Sequence, residues 1–240
     1  MTNDIKKEKV TAFKELLNEI KEVGKNGCTI QSYFDKIASF LFRNLQIRAG
    51  NDNYTFAEIE FYYHSDELNL NNSIYNCTYP RIRNSGDFFW HYSGVDICFD
   101  SNYNMDGNGN FGGILIRSLT KHGSEGGIIA GPMRCTCELM NSCNSENTAP
   151  YLADLEEDIR PKEDLYSTIR YGVNDENQLG DKELHFCYYL DPISWTRKRN
   201  NVLMMKDNKT RYEFCIEKND TYSAIPSKRG KHEKVIEVDY

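Results

Sequence analysis

The sequence contains no run of the roughly 18–20 apolar residues that a helix needs to cross a bilayer, which excludes a helical membrane protein. Its first segment, Met1–Lys9, is charged and lacks the apolar stretch of a secretory signal, so we expect a cytoplasmic protein, nucleoid-associated if bacterial. Internal repeats are missing, and this excludes collagen and a long coiled-coil rod.

The motifs of several large enzyme classes are also missing. The chain has no GxxxxGK[ST] phosphate loop, no GxGxxG turn that opens a helix, no HExxH zinc motif and no GxSxG nucleophile turn. Its 5 histidines are scattered, and spacing alone defines no cysteine–histidine nucleophile pair. Catalytic chemistry must therefore come from residues that the fold brings together.

Metal-binding patterns are weak. The chain has 8 cysteines, several of them in apolar runs, and we expect buried, reduced thiols. The Cys135-x-Cys137-x5-Cys143 cluster lacks a CxxC pair and a second ligand pair, which argues against zinc. The segment Asp100–Asn110 is similar to a calcium loop but lacks the twelfth-position Glu, so a hairpin loop is predicted. We expect no metal and no cofactor.

What is present suits a folded domain. The 240 residues are 39% hydrophobic and 27% charged, enough for one large core or two small ones. The net charge, 29 − 36 = −7, argues against a protein that holds duplex DNA mainly by bulk charge. Charge is nevertheless segregated, since 197–211 carries six cations and 154–164 six acids. These stretches are either two solvated faces or, for the basic one, a local phosphate-binding patch.

The order of patterns predicts an α+β fold. Two amphipathic helices come first, with apolar stripes around Phe13 and Phe34 and a Thr29 N-cap on the second. Strand patterns follow at 57–63, 88–99, 114–119, 184–190 and 211–217, with a helix over 133–140 and a loop-rich segment at 142–182. We predict a single, mostly antiparallel, curved sheet with surrounding helices: an N-terminal helical segment at 1–50, the main domain at 51–222 and a polar tail at 223–240.

Ionisable residues inside strands are the best candidates for chemistry. Glu60 lies among Ile59 and three aromatic residues, where a carboxylate can act as a general base on water. Arg117 interrupts an apolar strand and needs an anionic partner if it is buried. Asp96 and Asp100 flank an apolar run. Each is either a structural ion-pair member or part of one site to which several strands contribute.

Four blocks of sequence, in order, resemble the alkyladenine (3-methyladenine) DNA glycosylase family. The blocks are Ala57–Tyr62, similar to V-E-T-E-A-Y; Tyr79–Arg81 with Phe88–Asp100, similar to T-P-R-N and Y-V-Y-x-x-Y-G-M-x-x-C-x-N; Gly113–Leu119, similar to V-L-L-R-A-L; and Gly131–Cys135, similar to G-P-x-K-L-C. The resemblance covers roughly residues 55–195, and it implies the family's mixed α/β fold, which is also compared with the C-terminal domain of formyltransferases.

The resemblance also implies an activity. Members of the family flip a damaged purine out of duplex DNA and hydrolyse its N-glycosidic bond without a metal or cofactor. Glu60 matches the general base and Arg117 the arginine that helps hold the water. Tyr62 and Trp90 match the aromatic walls that hold the flipped base, and His91 and Asp100 are the other expected base-binding residues. The expected nucleic-acid contacts are Tyr92 and Arg134, with the basic residues Arg197, Lys198 and Arg199 beyond the matched region. The expected partner is double-stranded DNA, bound by a monomer.

The sequence departs from the family pattern at three points. The family's pocket His has no counterpart in the corresponding region, Asp66–Asn76, and two further positions differ. The tyrosine that wedges into the minor groove is Ser93 here, although Tyr92 is next to it, and the pocket Asn is Asp100. Three functions remain open: a purine DNA glycosylase, a non-catalytic module that binds a nucleotide, nucleic acid or protein, and a small-molecule enzyme that acts on free nucleosides.

Overall fold

The computed structural model describes residues 8–23, 28–66, 78–104, 109–123, 127–146, 148–168, 186–190 and 233–235. Its helices are α1 Glu8–Asn18, α2 Ile30–Asn44 and α3 Pro132–Glu146, with 3-10 turns at Glu19–Glu22 and Glu157–Ile159. The described helices include none that is long and apolar enough to cross a membrane.

The two N-terminal helices form where the sequence predicts them. Phe13 and Leu17 of α1 are fully buried, as are Ile37 and Leu41 of α2, because residues three or four apart share one helix face. Thr29 caps α2 in a capping box, in which its hydroxyl accepts from the Ser32 N–H and the Ser32 hydroxyl accepts from the Thr29 N–H. The predicted N-cap is therefore confirmed.

The described strands form one curled sheet in which every pairing is antiparallel. The strands are β1 Leu45–Ala49, β2 Asp52–Ser65, β3 Phe88–His91, β4 Gly94–Cys98, β5 Asn102–Tyr103, β6 Gly109–Lys121, β7 Gly127–Ala130, β8 Tyr151–Asp154, β9 Leu165–Thr168, β10 Cys187–Leu190 and β11 Glu233–Lys234. The main path runs β11-β9-β10-β2-β6-β4-β3, while β1 joins β2 to β8 and β5 and β7 pair with β6. Three helices on such a sheet make an α+β fold, as predicted.

The strand register sorts side chains onto two faces. Phe61 lies opposite Ile114, which lies opposite Ile97, and this row faces α2, where Phe61 stacks on Phe34 at 4.2 Å between ring centroids. We call this side the aromatic face. The neighbouring row, Glu60, Leu115 and Asp96, points the other way, because successive side chains of a strand alternate. We call that side the polar face.

Helix α3 lies against the polar face. It begins after Gly131, whose φ of 107° is a left-handed conformation that favours glycine, and Pro132 occupies its first turn. A Cβ on Gly94 would lie 2.7 Å from Leu115 Cδ1 and 3.1 Å from Pro132 Cβ, so the start of α3 packs closely on β4 and β6 there. The first turn of α3 therefore packs beside Leu115 of the polar row.

Several sequence predictions differ from the structure or lie outside the described residues. The segment 142–182 was expected to be loop-rich, yet it contains strands β8 and β9, and α3 runs on to Glu146. The first 50 residues contribute β1 to the sheet as well as two helices. The predicted strand at 211–217, the cations Arg197, Lys198 and Arg199, and all of the 223–240 tail except 233–235 lie outside the described residues.

Candidate functional site on the polar face

Glu60 is the centre of a hydrogen-bonded group on the polar face. Its carboxylate is fully buried, and one oxygen, Oε2, accepts from the Tyr62 hydroxyl at 2.8 Å and from Arg117 Nη1 at 3.0 Å. Tyr62 is half-buried and the Arg117 side chain is 20% exposed, so both connect the buried carboxylate to the surface. The structure therefore brings together three of the residues that the resemblance selects.

Arg117 reaches this group because the β2–β6 ladder is irregular there. The pairing passes from Phe56 with Leu119 to Glu58 with Ser118, and then to Ile59 with Ile116. Ala57 is thus an extra residue on β2, and Arg117 is an extra residue on β6. Such bulges reorient side chains, and they are common beside functional sites.

Glu58, a second buried carboxylate, shares Arg117 with Glu60. Arg117 Nε lies 3.3 Å from Glu58 Oε1, the Ser118 hydroxyl donates to Oε2 at 3.2 Å, and Cys187 Sγ lies 3.5 Å from Oε1. Cys187 is on β10, opposite Glu60. The guanidinium therefore balances one of two negative charges in a site closed by three strands.

Among the described residues, three potential metal ligands lie close together: Glu58, Glu60 and Cys187. Ligand atoms of Glu58, Glu60 and Cys187 all lie within 4.8 Å of one another. Carboxylate and thiolate ligands together would suit zinc or another transition metal better than magnesium or calcium. The Arg117 guanidinium already contacts both carboxylates, however, so a cation would have to displace it.

A second charged group lies farther along the polar face, across Leu115 from Glu60. Arg81 Nη1 donates to Asp96 Oδ2 at 2.6 Å, with side chains only 1% and 3% exposed. His91 Nε2 lies 3.1 Å from the other oxygen, Oδ1, and His91 Nδ1 accepts from the Ser93 N–H at 3.3 Å. Asp96 therefore has a guanidinium against one carboxylate oxygen and an imidazole against the other.

Gly113 makes room for this ion pair. A Cβ on Gly113 would lie 2.7 Å from Asp96 Cβ and 2.8 Å from Arg81 Nη1, too close for any larger residue. Arg81 also donates through Nε to the Tyr79 carbonyl at 2.9 Å, and its Cζ lies 4.2 Å from the Phe89 ring centroid. The guanidinium is thus fixed on several sides.

An aromatic hairpin tip adjoins the ion pair. Tyr92 and Ser93 form the turn between β3 and β4, and the Tyr92 side of the turn is open, since Tyr92 is 80% exposed. The Tyr79 ring packs on Tyr92 at 5.3 Å and on His91 at 4.7 Å, and its hydroxyl lies 3.0 Å from Ser93 Oγ. The tip therefore exposes the Tyr92 ring to solvent, while contacts from Tyr79 hold the turn in place.

Other residues chosen from the sequence are not part of the Glu60 group. Trp90 pairs with Val95 and belongs to the aromatic face, where it packs against the core, so it cannot form a sandwich with Tyr62. Asp100 lies in an exposed bend after β4, and Arg134 is in the first turn of α3. Conversely, sequence reasoning missed Glu58, Arg81 and Cys187. The alternation of Glu58 with Glu60 was visible, but their partners are distant in sequence.

Comparison with known proteins assigns this chain to no family. No protein-family model, curated protein or solved structure matches this chain.

Proposed function

We propose that the protein hydrolyses the N-glycosidic bond of a damaged purine nucleotide in DNA, with Glu60 as general base. One observation carries the proposal: a fully buried carboxylate whose Oε2 accepts both from an arginine and from a tyrosine that reaches the surface. A carboxylate with this support has a fixed orientation, which a general base needs.

The proposed reaction uses the three residues as follows. Glu60 accepts a proton from a water molecule, the water oxygen bonds to the sugar C1′, and the C1′–N9 bond breaks with its electron pair leaving on the purine. Alkylation or protonation of the purine makes it a good leaving group, so no metal is needed. Arg117 balances the charge of Glu60, and Tyr62 stacks against the base, a contact worth about 1–3 kcal/mol.

The sequence resemblance supports this proposal and extends it to the alkyladenine DNA glycosylase fold. Glu60, Tyr62 and Arg117 are the matched residues that lie together. Trp90 lies on the opposite face, so the base would stack on Tyr62 alone. Tyr92 at the hairpin tip and Arg134 at the start of α3 are the proposed DNA contacts among the described residues.

Excision from a labelled duplex tests the proposal. We expect release of hypoxanthine or 3-methyladenine by the wild type and a loss of about 100-fold or more in Glu60→Gln, since general-base catalysis contributes roughly that much. Glu146→Gln, an exposed carboxylate on α3, is the matched control and should keep full activity. No release by the wild type, or equal release by Glu60→Gln, contradicts the proposal.

A non-catalytic binding module is the second candidate, and the burial of Glu60 favours it. A fully buried carboxylate with a charge partner also describes a structural ion pair, with no contact to substrate. Duplex binding across a salt series separates the candidates. Binding that weakens steeply with salt but releases no base supports the module, whereas release that depends on Glu60 supports the enzyme.

A further inference from the structure

Strand β3 is the end of the main sheet path, and among the described strands only β4 pairs with it. Its outer edge therefore has no partner strand in the part of the chain that the structure describes. Natural sheets commonly protect such an edge with lysine, proline or a bulge. The sequence of β3, Phe88–His91, contains neither residue type, and its register with β4 is regular. The edge is thus suited to pairing with a further strand.

The hydrogen bonds between β3 and β4 show which backbone groups point outward. In an antiparallel pair, opposite residues alternate between pairs that exchange hydrogen bonds and pairs that do not. The Cys98 N–H donates to the Asp87 carbonyl at 2.8 Å, and the register continues regularly from there along β3. Every second residue from Asp87 onward therefore bonds to β4. Phe88 and Trp90 are the residues between, so their N–H and C=O groups point to the outer edge.

The side chains of the same two residues line a cavity of about 580 Å³ on the aromatic face. The Phe88 and Trp90 rings are half-buried, with centroids 6.5 Å apart and planes 26° from parallel. Helix α1 and the segment 149–152 form the other side of the cavity. The outer edge of β3 thus combines outward backbone groups with an aromatic cavity beside them.

The charges place an apolar occupant in this cavity. Lys14 and Asp87 contribute one charge of each sign to its lining. The guanidinium of Arg83 lies on the other face of β3, 5.7 Å from the Phe89 ring centroid, and Arg81 covers the same ring at 4.2 Å. The polar side of the edge is therefore occupied by the chain's own side chains, whereas the aromatic side has room and no net charge.

We infer that β3 binds an extended peptide segment of a partner protein, which adds a strand at the outer edge and places an uncharged, apolar side chain in the cavity. The backbone groups of Phe88 and Trp90 hydrogen-bond to the peptide backbone in this arrangement. Side chains alternate along a strand, so every second side chain of the peptide faces the cavity. The inference goes beyond the reaction proposed at Glu60 and does not depend on it.

A display library of short random peptides, selected on the full chain, supplies the probe. We expect enrichment of peptides with apolar residues at alternate positions, and fluorescence anisotropy of a labelled, selected peptide measures its affinity. N-methylation then removes one peptide N–H at a time. Methylation at every second position should weaken binding about tenfold or more, and methylation at the positions between should have little effect. A period of two is the expected signature of strand addition.

Variants of the protein locate the binding. Phe88→Pro removes an outward N–H that the β3–β4 ladder does not use, and edge strands tolerate proline at such positions. Trp90→Ala removes an aromatic wall of the cavity. Each should weaken binding of the selected peptide about tenfold. Met140→Ala, which changes a side chain that is 45% exposed on α3, is the matched control and should bind like the wild type. Circular dichroism checks that the variants fold.

Three results would overturn the inference. They are a selection that enriches no peptide, N-methylation effects without a period of two, and unchanged affinity in both Phe88→Pro and Trp90→Ala. The N-methylation series uses the wild-type protein, so it decides the question even if a variant fails to fold. Self-association that Phe88→Pro abolishes, without peptide binding, would assign the edge to a second copy of the chain and would also overturn the inference.

Discussion

The two faces of the central strands are built from the same backbone and are stabilised in different ways. On the aromatic face, Phe61 packs among Phe34, Phe99 and Tyr188, with ring centroids between 4.2 and 6.3 Å apart. On the polar face, one residue along β2, Glu60 Oε2 accepts hydrogen bonds from Tyr62 and Arg117. Apolar contacts on the aromatic face are non-directional, whereas the hydrogen bonds and ion pairs of the polar face require particular partners at particular angles.

This difference matters for function. A hydrophobic contact that loosens slightly keeps most of its energy, but a buried charge that loses its partner is strongly destabilising. Bulges at Ala57 and Arg117 occur where the polar face must place a charged side chain at a defined point. We therefore expect stability to depend mainly on the aromatic face, and chemical specificity on the polar face.

The largest effect is expected on the aromatic face. Phe61→Ala removes a fully buried ring at the centre of the cluster and should lower the free energy of unfolding by about 4 kcal/mol. Urea denaturation measures this loss. Tyr92→Ala removes an aromatic ring that is 80% exposed and should cost well under 1 kcal/mol, about as much as other surface changes. Similar losses in the two variants would contradict a core centred on Phe61.

On the polar face, Asp96→Ala should cost about 3 kcal/mol, because Arg81 would remain buried without its carboxylate. The same denaturation experiment applies. The double variant Arg81→Met/Asp96→Leu removes both charges and should recover most of the loss, since replacing a buried pair with apolar residues is often neutral. A double variant as unstable as Asp96→Ala would show that packing at Gly113, rather than charge pairing, dominates there.

The aromatic face was the more predictable of the two. The helical spacing of Phe13 and Phe34, the cap at Thr29 and the alternation of Ile59 and Phe61 depend on neighbours within a few residues, and the structure confirms these elements. Local spacing fixes which way such side chains point once a helix or strand forms. The antiparallel α+β class followed from the order of the same patterns.

The polar face was predictable only in part, because its partners are distant in sequence. Glu58 meets Cys187 across 129 positions, and Arg81 reaches Asp96 from a segment outside the strands. The sequence did not predict the face of the sheet on which Trp90 lies. That face follows from the β3–β4 register, which the turn at Tyr92–Ser93 sets. A sequence pattern does not specify register across a turn of this kind.

The reactivity of cysteines measures how far solvent reaches the polar face. Burial raises the pKa of the Cys98 thiol to about 11, an effect that exceeds the opposing influence of nearby Arg81. Near pH 8, labelling of Cys98 by an aromatic disulfide should be roughly 100-fold slower than that of exposed Cys137, because thiolate is the reactive form. Mass spectrometry of the labelled peptides measures both rates. Equal rates would mean that water reaches the Arg81 group.

The smallest effect concerns His64, where β2 continues beyond Tyr62. Burial against Phe111 lowers the pKa of His64 below its usual 6.5, although Asp66 at 3.3 Å acts in the opposite direction. The unfolded chain therefore binds a proton that the folded protein does not bind as readily. Stability from this group is complete above pH 6.5 and is lost as the pH falls towards the lowered value.

Urea midpoints at about pH 7.5 and 5.5 measure this contribution. His64→Gln should lose less stability between the two pH values than the wild type, even if it is less stable at both, because glutamine does not titrate. Asp66→Asn removes the carboxylate that favours the charged imidazole, so its loss on acidification should exceed that of the wild type. Identical pH dependence in all three proteins would mean that His64 is hydrated in the folded state, and that the polar face is open to water at this end.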